Sequence, residues 1–106
     1  MEQATAKAQQ LIDQGNVVVF SKSYCPYCKA TKRTLEQLGA DFTVHELDQL
    51  PDGSAIQDAL ETITSQRTVP NTFINKKHIG GNSDLQDLVR RGELEKLLRD
   101  ANAVKL

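Results

Sequence analysis

Residues 17–20 read Val-Val-Val-Phe, a continuous apolar run of β-branched and aromatic side chains. Because successive side chains of a strand point to opposite faces, a run without a polar residue indicates a strand that is buried on both faces. The chain has 106 residues, which is enough for one core but too few for two domains. We therefore expect one domain, residues 1–106, in which helices cover both faces of a sheet.

The remaining pattern supplies the other elements of such a fold. Apolar positions at helical or strand spacing, together with turn residues, divide the chain. The first half of the chain predicts a helix over 4–12 that stops at Gly15, a strand over 17–20, a helix over 26–38 that stops at Gly39, and a strand over 42–47. The second half predicts a helix over 56–63 after a turn at 51–53, and then a hairpin of strands 72–74 and 78–79. After a break at Gly80-Gly81 we expect a C-terminal helix or helix pair divided near Gly92. Two strand–helix–strand units followed by a hairpin predict an α/β fold, with a small mixed sheet and helices on both faces.

Composition and charge narrow the class of protein. Hydrophobic residues are 39% and charged residues 25% of the chain, as in soluble globular domains. The formal net charge of −1 gives no reason to expect nucleic acid or an anionic membrane as a partner. No apolar run approaches the roughly 18 residues of a membrane helix, and Gln9 and Gln10 interrupt any apolar core of a signal peptide. We expect an intracellular, cytoplasmic protein.

Cys25 and Cys28 are the only cysteines, and two residues separate them. In a reducing compartment such a pair is more often redox-active, metal-bound or free than a structural disulfide. Cys25 falls between a predicted strand and the start of the next helix, where backbone N–H groups and the helix dipole favour a thiolate. We expect Cys25 to be a nucleophile and Cys28, one turn into the helix and closer to the core, to be the resolving thiol. The alternative is that both are incidental small apolar residues.

Four basic residues, Lys22, Lys29, Lys32 and Arg33, surround the two cysteines, and no acidic residue follows in the helix before Glu36. Helices favour acidic residues in the first turn, so this arrangement breaks a local preference. Such exceptions often mark functional sites. For Lys32 and Arg33 a solvated helix face is the alternative interpretation.

A single pair of cysteines also fits half of a zinc site. Tetrahedral zinc needs four ligands, which usually include a second cysteine pair or a histidine pair. The chain offers only His45 and His78, which fall in separate predicted strands. We therefore expect no metal site within one chain, and we interpret both histidines as strand residues.

Three motifs resemble those of the dithiol glutaredoxins, and the resemblance extends over nearly the whole chain. Cys25-Pro26-Tyr27-Cys28 is similar to the active-site signature of that family, and Lys22-Ser23-Tyr24 before it is also typical. Arg67-Thr68-Val69-Pro70 resembles the second motif, whose proline is cis and faces the active site, and Gly80-Gly81-Asn82-Ser83-Asp84 resembles the third. A thioredoxin would carry a Trp before the first cysteine and Gly-Pro between the two, and this chain has no Trp.

The resemblance implies a thioredoxin-like fold with a central four-stranded mixed sheet, and glutathione-dependent disulfide reduction. Glutathione would be a co-substrate, with no tightly bound cofactor. Lys22 and Gln66 would hold its glycine carboxylate. The Val69 backbone would pair with the cysteinyl moiety as an added strand, and Ser83 and Asp84 would hold the γ-glutamyl end. The whole glutathione site implied in this way is Lys22, Tyr27, Gln66, Arg67, Thr68, Val69, Pro70, Gly81, Ser83 and Asp84.

Several of these assignments have structural alternatives. Ser83 or Asp84 could serve only as the N-cap of the C-terminal helix. Val69-Pro70 could be an ordinary loop, and Tyr27 could be a surface aromatic residue.

The expected partners are glutathione, glutathionylated or disulfide-containing proteins and, through glutathione, glutathione reductase, with the enzyme itself a monomer. A rival function is that of a [2Fe–2S] cluster carrier or sensor, in which two chains and two glutathiones supply four thiolates through Cys25. Pro26 and Tyr27 resemble the catalytic type of the family instead. A glutathione-binding module without redox chemistry is a third possibility, which the presence of both thiols disfavours.

Overall fold

The apolar run at 17–20 forms the interior of the sheet. In the computed structural model, which describes residues 2–104, strand β1 (Val17–Ser21) is buried along its whole length. The remaining elements are α1 (Glu2–Gln14), α2 (Pro26–Gln37), β2 (Thr43–Glu46), a 3₁₀ turn (Leu47–Gln49), α3 (Gly53–Thr64), β3 (Asn71–Ile74), β4 (Lys77–Gly80), α4 (Asn82–Arg90) and α5 (Leu94–Asp100). Met1, Lys105 and Leu106 of the predicted domain lie outside the described residues.

The four strands form one mixed sheet in the order β2-β1-β3-β4. Strand β1 is parallel to β2 and antiparallel to β3, and β3 is antiparallel to β4. The parallel pair is joined by the α2 crossover, as a parallel connection requires. Phe20, near the end of β1, pairs with Asn71 at the start of β3. The segment that follows β1 and the segment that precedes β3 therefore lie next to each other at one end of the sheet.

Alternate side chains of β1 enter two separate cores. Val17 and Val19 pack with apolar residues of α2, α4 and α5. Val18 and Phe20 pack with apolar residues of α1 and α3, and Phe20 meets Phe73 edge to face with ring centroids 5.9 Å apart. Helices cover both faces of the sheet, so this part of the prediction is confirmed.

The structure moves several predicted boundaries by one to three residues, and two of these shifts have a visible physical cause. The strand expected over 42–47 ends at Glu46, because the buried Leu47 begins a 3₁₀ turn. The helix expected over 56–63 begins earlier, at Gly53, which is buried against that turn. A Cβ atom on Gly53 would lie 1.8 Å from the Leu47 carbonyl oxygen, so only glycine fits at this position. The spacing of apolar residues carries no signal of so close a backbone approach.

The C-terminal region is a pair of helices, α4 and α5, separated at Gly92, whose φ is 69°. The predicted helix pair is thus confirmed. Strand β4 extends the predicted strand 78–79 by one residue at each end. Among residues 2–104, no helix has the length and apolar character needed to span a membrane.

Candidate active site

Cys25 lies at the junction between β1 and α2. The turn after β1 closes with a hydrogen bond from the Cys25 N–H to the Lys22 carbonyl oxygen at 3.0 Å. Cys25 is the N-cap of α2, and its Sγ accepts a hydrogen bond from the Cys28 N–H at 3.3 Å. Pro26 is the first helical residue, where the missing N–H costs nothing. The predicted position of Cys25 at a helix N-terminus is confirmed, and an N–H group points at its sulfur.

Cys28 lies beneath Cys25 and is completely buried, whereas Cys25 is partly exposed. Both thiols are free. Burial, together with the neighbouring Cys25 sulfur, raises the pKa of the Cys28 thiol. The two cysteines therefore differ in solvent access. Cys25 can react with a molecule from solvent, whereas Cys28 can react only with a group that is already bound to Cys25.

The second motif lies directly beside Cys25. The Val69–Pro70 peptide bond is cis, as the resemblance implies. The Cys25 thiol donates to the Val69 carbonyl oxygen, with 3.9 Å between sulfur and oxygen. Among residues 2–104 nothing accepts a hydrogen bond from the Val69 N–H. A free backbone donor in an extended loop suits the addition of a peptide as a further strand.

The Gln66 side chain holds the loop around Val69 by hydrogen bonds. Its side-chain Nε2 donates to the carbonyl oxygens of Thr68 (3.0 Å) and Pro70 (3.1 Å). Both N–H bonds of the amide are thereby used, and the remaining Oε1 can only accept. In this arrangement Gln66 positions the loop, and it can hold a glycine carboxylate only by exchanging one of these two bonds.

The third motif forms the start of α4. The N-cap of α4 is Gly81, and the Asp84 carboxylate accepts a hydrogen bond from the Gly81 N–H at 2.9 Å. The alternative in which Ser83 or Asp84 is the N-cap is therefore wrong, because both lie inside the first helical turn. Gly80 has a φ of 121°, and a Cβ atom there would lie 2.3 Å from Asp84 Oδ2. The Asp84 carboxylate thus occupies the space that a side chain on Gly80 would fill.

A polar bridge joins α4 to α2. The buried Thr31 donates from Oγ1 to Asn82 Oδ1 at 2.9 Å. Gln86 Nε2 donates to the same Asn82 oxygen at 3.2 Å and to Thr34 Oγ1 at 2.9 Å. Thr31 and Asn82 are 51 positions apart, and sequence reasoning missed their contact because no local pattern predicts it.

The three motifs enclose a groove at Cys25. Its volume is about 450 Å³, within the roughly 300–1,000 Å³ of small-molecule sites. The lining residues are Tyr27, Thr68, Val69, Pro70, Gly81, Asn82 and Ser83. All of these except Asn82 belong to the predicted glutathione site. The structure therefore brings together segments that are distant in sequence, and it adds Asn82 to them.

Four residues of the predicted glutathione site do not line this groove, namely Lys22, Gln66, Arg67 and Asp84. The Arg67 guanidinium binds the carboxylates of Asp58 and Glu61 on α3, and the Asp58 carboxylate raises the pKa of Arg67. Arg67 therefore faces α3. Lys22 is partly exposed and forms no ion pair within residues 2–104, and its charge helps to lower the pKa of the Asp48 carboxyl.

The two histidines lie in strands, as predicted. His45 in β2 stacks on Phe20 with ring centroids 5.4 Å apart, and His78 Nε2 in β4 lies 2.8 Å from Asn71 Oδ1. Within the described part of the chain, no three or more His, Cys, Asp or Glu residues are grouped so that they could hold a metal ion.

Comparison with known proteins decides what kind of protein has this site. A family model described as Glutaredoxin matches residues 17–79. The chain belongs to the glutaredoxin family. Glutaredoxins are glutathione-dependent thiol–disulfide oxidoreductases, and that is the class of this enzyme.

Relatives match this glutaredoxin over nearly its whole length. Glutaredoxin from Vernicia fordii is 53% identical over 102 residues, which are 96% of this chain and 98% of the relative. Glutaredoxin-C6 from Oryza sativa subsp. japonica is 52% identical over 101 residues, which are 95% of this chain and 90% of the relative. The crystal structure of the buckwheat glutaredoxin–glutathione complex matches with a TM-score of 0.96 at 48% identity and covers 98% of this chain and 94% of that chain. The predicted thioredoxin-like fold is confirmed.

Gly80 offers a test of the start of α4. We expect Gly80→Ala to raise the KM of this glutaredoxin for a glutathionylated peptide about tenfold, because the new Cβ displaces the Asp84 carboxylate from the N–H of Gly81, which lines the groove. We also expect a loss of about 2 kcal/mol in the free energy of unfolding, since alanine is strained at positive φ. Urea unfolding and steady-state kinetics measure the two effects.

Gly92→Ala is the matched control for this substitution. Gly92 also has a positive φ, 69°, but nothing lies within 4 Å of a Cβ atom placed there. We expect this variant to lose stability without a change in KM. An equal rise in KM for both variants would show that backbone strain, and not the position of Asp84, controls substrate binding.

Proposed function

We propose that this glutaredoxin uses glutathione to reduce protein–glutathione mixed disulfides, together with low-molecular-weight and protein disulfides. The observation that carries the proposal is the position of the Cys25 sulfur. It lies 3.3 Å from the Cys28 nitrogen and contacts Val69 at the edge of a groove of about 450 Å³. The buckwheat relative, whose structure is a glutaredoxin–glutathione complex, supports glutathione as the molecule that fills this groove.

In the first step the Cys25 thiolate attacks the glutathione sulfur of a mixed disulfide. A bond forms between the Cys25 sulfur and glutathione, and the bond to the sulfur of the protein substrate breaks. The substrate leaves as a thiolate and takes a proton from solvent. The free Val69 N–H can orient the glutathionyl backbone, and the N–H of Cys28 stabilises charge on the Cys25 sulfur.

In the second step a glutathione thiolate from solution attacks the glutathionyl group on Cys25. Glutathione disulfide leaves, and Cys25 is again a thiolate. Each cycle thus consumes one mixed disulfide and one glutathione and yields one protein thiol and one glutathione disulfide. Glutathione reductase returns the disulfide to glutathione, so it acts on this enzyme only indirectly.

A disulfide within a protein follows a second route. Cys25 forms a mixed disulfide with the target, and Cys28 then attacks the Cys25 sulfur and releases the second target thiol. The two cysteines are well placed for this step, because Cys28 is one helical turn from Cys25 and its N–H already contacts the Cys25 sulfur. Two glutathiones then reduce the Cys25–Cys28 disulfide and form one glutathione disulfide.

The proposal includes glutathionylated and disulfide-containing proteins as partners, a monomeric enzyme and a cytoplasmic location. Two free cysteines and a glutathione-linked reaction both suit a reducing compartment. The family and its relatives favour the oxidoreductase over the [2Fe–2S] carrier.

The test is reduction of a glutathionylated peptide with glutathione, followed as NADPH consumption by added glutathione reductase. We expect turnover that depends on both the enzyme and glutathione, with a kcat on the order of 10 per second. Absence of turnover would contradict the proposed function. Visible absorbance by protein purified without oxygen, together with absence of turnover, would support the cluster carrier instead.

A further inference from the structure

One side of α2 carries positive charge that the glutathione groove does not use. Lys29, Lys32 and Arg33, here named the basic stripe, are three and four positions apart and therefore lie on one side of the helix. They continue the line that starts at Cys25, four positions before Lys29. The buried side of α2 is formed by other residues, Cys28, Thr31 and Leu35.

The basic stripe and the Tyr27 wall of the glutathione groove lie on opposite sides of α2. Tyr27 lines the groove, and Lys29 is two residues further along α2. At about 100° of rotation per residue, two residues turn the helix by roughly 200°. Cys25 contacts the groove through Val69 and lies one helical turn before Lys29, so a substrate whose glutathione occupies the groove can extend its own chain along the stripe.

Two of the three charges have no ion-pair partner in the part of the chain that the structure describes. Lys32 is half-buried and bonds Glu46 at 2.9 Å. Lys29 and Arg33 are exposed and form no ion pair within residues 2–104. Glu36 is the single acidic residue that shares their surface depression of about 310 Å³. The stripe therefore keeps net positive charge in a protein whose formal charge is −1.

Lys29 lies where the helix disfavours positive charge. It directly follows the first turn of α2, near the positive end of the dipole, and that turn has no acidic residue to offset it. A charge arrangement that the fold disfavours and the groove does not use indicates a partner outside the chain.

We propose that the basic stripe binds an acidic segment of the protein substrate, so that the enzyme prefers glutathionylated cysteines with nearby carboxylates. The inference rests on the proposed function, because the glutathione half of the substrate fixes the position of the rest. Exposed complementary charges act mainly by accelerating encounter, and salt screens them over about 10 Å at 0.1 M.

The test uses three glutathionylated peptides of equal length whose residues beside the modified cysteine are Glu, Gln or Lys. At low salt we expect kcat/KM for the Glu peptide to exceed that for the Gln peptide about tenfold, and the Lys peptide to be the slowest. At 0.5 M salt the ratio of Glu to Gln peptide falls close to one. Equal rates for the Glu and Gln peptides at low salt would overturn the proposal. No turnover of any of the three peptides would instead overturn the proposed function.

Two variants locate the effect. In Lys29→Gln/Arg33→Gln we expect the low-salt ratio of Glu to Gln peptide to fall to within about twofold of one. Lys76→Gln/Lys77→Gln removes the same charge from two exposed residues at the β3–β4 connection. Asn75 of this connection bonds Asn16 before β1, at the sheet end opposite Cys25. This control keeps the wild-type ratio, and an equal fall in both variants would show that net charge alone is responsible.

A competition experiment distinguishes carboxylates from phosphates as ligands of the stripe. We expect a free Glu-rich peptide to inhibit turnover of the Glu peptide in the wild type and to inhibit Lys29→Gln/Arg33→Gln at least severalfold less. Inhibition by a short oligonucleotide at lower concentration than by the Glu-rich peptide would overturn the proposal in favour of a phosphate ligand.

Discussion

Cys25→Ser abolishes glutathione-dependent reduction of a glutathionylated peptide. We expect kcat/KM to fall roughly 10³-fold or more, which is about 4 kcal/mol of transition-state stabilisation. The serine hydroxyl stays protonated at neutral pH, and none of the described residues that line the groove is a histidine or a carboxylate that could activate it. Serine is also a good N-cap, so its oxygen can take over the hydrogen bond from the Cys28 N–H and the fold is kept. The coupled assay measures the loss, and urea unfolding verifies the fold.

The two measurements distinguish a loss of chemistry from a loss of structure, because activity and the free energy of unfolding can change independently. Loss of activity with a free energy of unfolding within about 1 kcal/mol of the wild type supports Cys25 as the nucleophile. Activity above about a tenth of the wild type would contradict that role. Activity that survives in Cys25→Ser but is lost in Cys28→Ser would reverse the two assignments.

Cys28→Ser distinguishes the single-thiol route from the route that needs both cysteines. We expect reduction of a glutathionylated peptide to stay within about threefold of the wild type, because both of its steps take place at the Cys25 sulfur. Reduction of a protein disulfide falls at least about 100-fold, since no second thiol can release the target. Loss of both activities would show that the single-thiol route above is wrong.

The control for this substitution addresses the burial of Cys28. A serine hydroxyl without a partner costs about 1–3 kcal/mol in a buried site, so Cys28→Ala is measured alongside it. We expect the same division of activities in both variants. A defect in Cys28→Ser that Cys28→Ala does not share would be a packing effect.

Cys28 also determines how the pH dependence of the two routes differs. Burial raises the pKa of Cys28, and the attacking group in the resolving step must be the thiolate. Protein-disulfide reduction by the wild type therefore rises with pH below that pKa, about tenfold per pH unit at most where the resolving step limits the rate. The glutathionylated-peptide reaction does not pass through Cys28, and its pH profile is the same in Cys28→Ser.

Features with a local cause could be predicted from the sequence. The run at 17–20 predicts the buried strand, and Cys25 followed by Pro26 predicts the start of α2, because neighbouring residues determine both. The resemblance of three short motifs supplied most of the groove lining. These motifs are local in sequence, although the groove that they form is not.

Features that depend on contacts across the fold could not be predicted. Gln66 carries no sign that its amide bonds the carbonyl oxygens on either side of Val69. Gly53 must be glycine because of the Leu47 backbone, which no apolar period shows. Lys32, unlike the exposed Lys29, is half-buried and bonds Glu46, a residue of another element. Each of these contacts exists only once the chain has folded.

The bridge from Thr31 to Asn82 has a consequence for how tightly a ligand can be held. It joins α2, which carries Cys25, to the start of α4, which forms the far wall of the groove. A binding site whose walls are already tied together loses little conformational entropy when it is filled, so more of the contact energy appears as affinity. The groove is in this sense preorganised: folding, and not the ligand, brings its walls together.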